Sequence, residues 1–286
     1  MNNPFPLSRL AVLGSGLIGG SVARAARRLA LCRRLALYSR GAEKDAVRAA
    51  GIADLVSDDP AEAVREAQLV IVALPIAAMG PVLHAIRDAL DPEAVVTDTA
   101  SVKIPAMRLM QENLEGRARW VGSHPMSGGE RSGFAFARHN LFEGAVSILT
   151  PSPTPDREAV ALVEMFWLAL GCRILHLPAS EHDRRVAAVS HLPHLLAAAL
   201  VRSVNGEDLE VAGPGFRDLT RIAAASPEMW NEILLANREN VLLALRSFLT
   251  DLEAARESLQ DGTGTALKKL LLEASERRLS FENRPS

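Results

Sequence analysis

Three glycines close an apolar run near the N-terminus, in Ser8-Arg-Leu-Ala-Val-Leu-Gly-Ser-Gly-Leu-Ile-Gly-Gly-Ser21, with the spacing of a dinucleotide-binding turn. Gly14 permits the tight turn after a strand, Gly16 lets backbone approach a pyrophosphate, and Gly19 lets the next helix pack closely on the sheet. That helix is expected from about Leu17, so that the free N–H groups around Leu17 and Ile18 face the phosphates with the helix dipole behind them. Glycine clusters also mark ordinary turns, but a strand before this one, a helix after it and a second apolar run at Leu35–Tyr38 favour the dinucleotide. Hydride leaving a C–O–H group requires a partner for the hydroxyl proton. His124, in Gly122-Ser-His-Pro-Met-Ser-Gly-Gly-Glu130, is of the right type, because neutral imidazole takes up a proton near pH 7. Its plainer reading is a loop histidine that satisfies a carbonyl. Thr97-Asp-Thr-Ala-Ser-Val-Lys103 adds the Ser101 hydroxyl and the Lys103 amine at the same edge. Ser101 is also a candidate N-cap for the helix that follows, and the two roles are compatible.

These groups need a scaffold. Short apolar runs recur at Leu10–Leu13, Leu35–Tyr38, Leu69–Ala73, Ala94–Thr97, Trp120–Gly122 and Val146–Thr150, with amphipathic helical segments between the early ones. Strands apolar on both faces that alternate with helices predict a parallel sheet covered on both sides, with ligands at the strand carboxyl ends. Leu74 and Pro75 lie just beyond such an end and join the expected cofactor site. From about Pro178 the pattern turns helical: a capping signal Ser180-Glu-His-Asp183 leads into Arg184–Val204, a second stretch starts at the N-cap Ser226 with Pro227 behind it, and a third spans Thr265–Leu279. The expected fold is an α/β Rossmann-type N-terminal domain over 1–178, followed by an all-α domain over 179–286 that buries its wide apolar surface in a homodimer.

At 286 residues and a formal charge of −2, with both signs mixed along the chain, the sequence carries no broad footprint for nucleic acid or an anionic membrane. The expected partner is a small molecule. Cys32 and Cys172 lack CxxC or metal spacing and read as reduced buried thiols, and no targeting segment or uncharged 18-residue apolar run is evident, so the cytoplasm is expected. At the end of the second strand, where an Asp or Glu would bind ribose hydroxyls and mark NAD, the chain has Ser39-Arg40. A hydroxyl and a guanidinium suit a 2′-phosphate, which makes NADP the expected cofactor in preference to NAD. A solvated surface arginine is the alternative, and Glu43 and Asp45 nearby oppose a phosphate.

Five blocks in order resemble the prephenate and arogenate dehydrogenases of tyrosine biosynthesis: GxGLIGGS at Gly14–Ser21, DTASVK at Asp98–Lys103, GSHPMSGGE at Gly122–Glu130, SHLPH at Ser190–His194 and GFRDLTRIA at Gly215–Ala223. The resemblance implies a helical domain that forms the dimer and an oxidative decarboxylation of a cyclohexadienyl substrate. It gives His124 the role of polarising the ring hydroxyl as hydride leaves, Ser101 that of supporting it, and Arg221 that of binding the ring carboxylate. Glu130 and Asp218 are then expected to orient Arg221. His191 and His194, three apart on one helix face, would lie near the substrate side chain, although one of them reads equally as a packed histidine. No third ligand accompanies them, and no metal is expected. Trp230 matches a pocket tryptophan, with core packing an equal contender. The chain departs from the pattern at Ser39-Arg40, and it ends without room for an appended regulatory domain, so any inhibition by tyrosine is expected at the active site. Two other readings were open: a dehydrogenase of small 3-hydroxy acids, which would carry a catalytic lysine on its helical domain, and a nucleotide sensor without turnover. Prephenate and arogenate are not separable from the sequence.

Overall fold

Strands buried on both faces form the centre of the first 180 residues, because an apolar run such as Leu10–Leu13 has one residue set for each side of a sheet. The computed structural model describes residues 4–282; Met1–Asn3, part of the stretch read for a targeting segment, and the last four residues lie outside it. In chain order the elements are β1 (Leu7–Leu13), α1 (Leu17–Arg28), β2 (Cys32–Tyr38), α2 (Gly41–Ala50), β3 (Leu55–Ser57), α3 (Pro60–Val64), β4 (Leu69–Val72), α4 (Ile76–Ile86), β5 (Val95–Asp98), α5 (Lys103–Leu114) and β6 (Arg119–Pro125). They continue with β7 (Val146–Thr150), α6 (Arg157–Ala169), β8 (Arg173–His176), α7 (Ala179–Val186), α8 (Leu192–Ser203), α9 (Pro214–Thr220), α10 (Pro227–Ala236), α11 (Arg238–Gln260) and α12 (Thr265–Glu282).

One eight-stranded sheet has the order β3-β2-β1-β4-β5-β6-β7-β8, parallel throughout except for the antiparallel pair β6 and β7. Leu10 and Val12 enter one core with Phe142, Phe166 and Trp167; Ala11 and Leu13 enter the other with Met79, Leu83 and Met110. The chain leaves β1 toward β2 and β3, then returns to β4 on the other side. That reversal opens a crevice between the carboxyl ends of β1 and β4, the usual ligand position in such sheets. Three corrections to the sequence reading follow. The short β3 and the exposed β8 are additional strands; the last parallel neighbour gives way to the antiparallel β6–β7 ladder; and β6 extends to Pro125, so His124 lies within a strand, paired opposite Ile148, and not in a loop after it.

The helical half corrects its own capping signal. α7 begins at Ala179 with Pro178 at the cap position and no side-chain cap, so Ser180 is inside the helix. Asp183 instead caps another helix: its Oδ1 accepts from the Lys103 amide at 2.6 Å and its Oδ2 from the Ile104 amide at 2.9 Å, at the start of α5. Ser101 does not cap α5, whose cap residue is Val102 without a side-chain bond. In the same way Glu232 of α10 accepts from the Ala77 amide at 2.5 Å, at the start of α4. Ser226 does cap α10, accepting from the Met229 amide at 3.3 Å with Pro227 behind it. Between α7 and α8 a π turn, Ala187–His191, precedes Pro193. Proline has no N–H and its ring crowds the carbonyl four residues back, which favours a widened turn there. By length and composition Ala179–Ser203 could cross a bilayer, yet in this fold it buries His182, Asp183 and His191.

By contacts the chain forms two compact units, Met1–Asn237 and Arg238–Ser286, while the change from sheet to helices falls near 178 as expected. The second unit consists of α11 and α12, with Leu242, Leu249, Leu252, Leu271 and Leu279 among its exposed residues.

The tightest approach in the first unit is at Gly19, where a Cβ would stand 1.9 Å from the Gly14 carbonyl oxygen. A backbone atom cannot move aside cheaply, so Gly19→Ala is expected to lower stability by about 1–3 kcal/mol or more in urea unfolding. Unchanged stability would contradict the close packing of α1 on β1.

Candidate active site

A cavity of about 610 Å³ opens at this sheet edge, entirely within the first unit. Its walls come from the glycine turn (Gly16, Leu17, Ile18), the end of β4 (Leu74, Pro75), Ser101, His124, the 126–133 loop with Glu130, and Ser190, His191, Trp230 and Glu232 from the helical segments. On the glycine side the fit to a dinucleotide is geometric. Gly14 has φ +107° and its Cβ would lie 2.3 Å from the Ala73 carbonyl oxygen, whereas the Cβ direction of Gly16 is empty to 4 Å. Of the helices that start along this edge, α1, α4 and α5 begin beside the cavity, and their caps differ. α4 and α5 each receive a carboxylate, from Glu232 and Asp183. α1 has no side-chain cap and no acid in its first turn, so its amides are the ones left for an anionic ligand.

On the reacting side the cavity wall includes the last link of a buried chain. His124 Nδ1 lies 2.8 Å from His182 Nε2, and His182 Nδ1 lies 2.7 Å from Asp183 Oδ1. A carboxylate only accepts, so His182 carries its proton on Nδ1 and offers a bare Nε2 to His124. His124 must then donate from Nδ1, which leaves its Nε2 unprotonated on a ring that lines the cavity. Burial first, and then His182, Lys103 and His191, hold the His124 pKa well below the usual 6.5. The ring is therefore a neutral proton acceptor at pH 7. Beneath it, Lys103 is fully buried, bonded through Nζ to Asp98 Oδ2 and, at 2.6 Å, to the Ser123 carbonyl. Burial pushes the Lys103 ammonium pKa down, while Asp98 and then Asp183 act against that. Asp98 also accepts from the Ser123 amide at 3.1 Å and the Ala100 amide at 2.9 Å, which ties the turn bearing Ser101 to the strand bearing His124.

The remaining expected residues separate. His191 lines the cavity; its Nδ1 is 3.1 Å from Asn237 Nδ2, an amide nitrogen that also donates to the Asp183 carbonyl at 2.7 Å. His191 Nδ1 is thus an acceptor, its Nε2 carries the proton, and burial lowers its pKa to about 4. His194 does not line the cavity. It stacks on Trp230 at 3.6 Å with 7° between the planes, so the packed reading fits His194, and Trp230 serves as both packing partner and cavity wall. Arg221 does not line the cavity either; it donates to Oε2 of the lining Glu130 at 2.9 Å, with its side chain 59% exposed. Asp218 is exposed and, among the described residues, unpaired with Arg221. Ser39 is buried, its Oγ 2.7 Å from Ser15 Oγ, whereas Arg40 is exposed. Among the described residues no cluster of three or more His, Cys, Asp or Glu could hold a metal.

Sequence reasoning missed His182, Asp183, Asp98 and Asn237. Only Asp98, at the end of the apolar run Ala94–Thr97, carried a local signal of burial; His182, Asp183 and Asn237 stand beside charged residues, and most of their partners are distant in sequence.

Comparison with known proteins agrees along the whole chain. Residues 22–176 match the profile of the prephenate dehydrogenase nucleotide-binding domain, and residues 178–273 that of the prephenate dehydrogenase dimerization domain. The chain is 35% identical to a cyclohexadienyl dehydrogenase of Zymomonas mobilis over 96% of both chains. Its fold matches a crystal structure of prephenate dehydrogenase from A. aeolicus in complex with hydroxyphenyl propionate and NAD+, with TM-score 0.89 and 30% identity over 98% of this chain and 100% of that one. It also matches the Synechocystis arogenate dehydrogenase, with TM-score 0.80 and 28% identity over 96% and 99%.

Burial lowers the pKa of His124, His182 and His191 alike. The unfolded chain takes up these protons near pH 6.5 and the native state only at lower pH, so the unfolded state binds more protons in between. Stability is expected to fall as pH drops from about 6.5 toward 4. Urea unfolding at pH 7.5 and 5.5 checks this; equal or greater stability at the lower pH would contradict it.

Proposed function

The chain belongs to the prephenate dehydrogenase family, and from that premise we propose that it oxidatively decarboxylates prephenate or arogenate with hydride transfer to a nicotinamide dinucleotide. The observation that carries the reading is the bare Nε2 of His124, fixed by His182 and Asp183 beside a turn suited to the dinucleotide. When bound, the dinucleotide supplies the hydride acceptor. Gly14, Gly16 and Gly19, with the amides at Leu17 and Ile18, hold its pyrophosphate, and Leu74 and Pro75 form the wall beyond β4. His124 Nε2 accepts a hydrogen bond from the ring C4 hydroxyl and takes its proton as that carbon becomes a carbonyl. The positive charge that results is stabilised through His182 toward Asp183. Ser101, on the same wall, supports that hydroxyl. Loss of CO2 and enolisation complete an aromatic ring, so the protein's main tasks are orientation and proton uptake.

Arg221 supplies the fork for the ring carboxylate from its position against Glu130, and His191 faces the substrate side chain with an N–H donor. Glu130 alone of the two expected carboxylates orients the arginine, and His194 packs Trp230. Of the Ser39-Arg40 pair that suggested NADP, only Arg40 remains free to meet a 2′-phosphate, because the Ser39 hydroxyl is taken up by Ser15. The leucines of α11 and α12 suit a homodimer, and the free, buried Cys32 and Cys172 suit a reducing cytoplasm. A 3-hydroxy-acid dehydrogenase with a lysine on its helical domain fits poorly, since no lysine occurs between Lys103 and Lys268. A sensor without turnover has no use for a tautomer-fixing chain.

The test is to follow reduced cofactor by absorbance with each substrate and each of NAD+ and NADP+. Turnover is expected, and His124→Asn is expected to cut kcat by roughly 10²-fold or more with dinucleotide affinity retained. No turnover with any of the four pairs would overturn the proposal.

A further inference from the structure

We propose that Glu43, in the first turn of α2, reads the adenosine ribose of the cofactor and makes NAD+ the preferred dinucleotide; this rests on the dinucleotide reading above. In this fold the adenosine ribose lies where the end of β2 meets the glycine turn after β1, and an acid at the strand end ordinarily accepts from its hydroxyls. Here the strand end offers Ser39, whose hydroxyl is directed inward to Ser15. Ser15 sits between Gly14 and Gly16, and its hydroxyl also lies 2.9 Å from Glu43 Oε2. The carboxylate can only accept, so the chain of donors runs Ser39 to Ser15 to Glu43. It places a carboxylate against the phosphate-binding turn although the strand end lacks one.

Glu43 is held in that position. Its Oε1 accepts from the Phe134 amide at 3.1 Å, and with Oε2 taken by Ser15 the half-buried group keeps lone pairs for further donors. A ribose diol provides such donors. A 2′-phosphate provides only acceptors and negative charge, and is repelled. The opposing group is Arg40, exposed with its guanidinium 5.9 Å over the Tyr38 ring. Solvent and salt screen an exposed cation more than a carboxylate anchored by two hydrogen bonds, so Glu43 outweighs it.

The same carboxylate holds the turn at Phe134–Phe136, which follows the 126–133 wall of the cavity. A holding role would affect both dinucleotides equally, whereas a reading role changes their ratio. Titration calorimetry of NAD+ and NADP+ into the wild-type protein, Glu43→Gln and Arg40→Ala, without substrate, separates the two. The wild type is expected to bind NAD+ more tightly. Glu43→Gln is expected to move the NAD+ to NADP+ affinity ratio toward NADP+ by roughly tenfold or more, the loss expected for one charge-assisted hydrogen bond. Arg40→Ala is expected to change the ratio less than Glu43→Gln does. Tighter wild-type binding of NADP+, an unchanged ratio or an equal loss for both in Glu43→Gln, or a larger shift in Arg40→Ala would each overturn the role of Glu43. Failure of the wild type to bind either dinucleotide would instead overturn the cofactor reading on which it rests.

Discussion

A carboxylate withdrawn from water costs several kcal/mol unless donors replace the lost hydration, and Asp183, 1% exposed, has those donors from two directions. The amides of Lys103 and Ile104 come from the sheet half, and the His182 Nδ1–H comes from its own helix. One group therefore docks α7 on the start of α5 and sets the proton positions on His182 and His124. The geometry proposed for catalysis depends on this double use, because a shift of α7 that broke the cap would also release the tautomer. His124 itself gains a fixed bare nitrogen without meeting a charged neighbour directly, and burial keeps it neutral.

The same economy governs the helix termini at the sheet edge. A helix N-terminus concentrates unpaired amides and a partial positive charge, and three of them converge around the cavity. Asp183 and Glu232, both from segments beyond residue 178, satisfy α5 and α4. Of these three, α1 stays open, where the glycine turn lets an anion approach. The helical half thus completes the nucleotide-binding half by selecting which terminus remains available, in addition to closing the cavity with His191 and Trp230.

What was legible in the sequence is what short-range rules control. The glycine turn, the strands β1, β2, β4, β5, β6 and β7, the cap at Ser226 and the candidacy of His124 each rest on neighbours within a few residues. The rest depends on pairings across the chain: His124 with His182 spans 58 residues, Asp183 with Lys103 spans 80, Phe134 with Glu43 spans 91 and Ala77 with Glu232 spans 155. No local pattern encodes such partners, which is why Ser180-Glu-His-Asp183 read as a cap for its own helix. Strand β8 was missed because its edge position leaves Arg173 and His176 exposed, so the apolar signal shrinks to Ile174 and Leu175. The family resemblance suggested roles that geometry alone did not, including that of Arg221, while only the structure shows His191 at the cavity wall and His194 stacked on Trp230.

The most direct test of the central claim is kcat of Asp183→Asn beside its thermal stability. An amide in place of the carboxylate puts its NH2 either at the Oδ1 position, against the Lys103 amide and toward His182 Nδ1, which reverses the tautomers of both histidines, or at the Oδ2 position, against the Ile104 amide; either way it removes the negative charge that stabilises a protonated His124 through His182. The account predicts a fall in kcat of about 10²-fold or more, by analogy with an amide substituted for the tautomer-fixing acid of a catalytic triad, in a protein that remains folded. Wild-type turnover in the folded variant would contradict it.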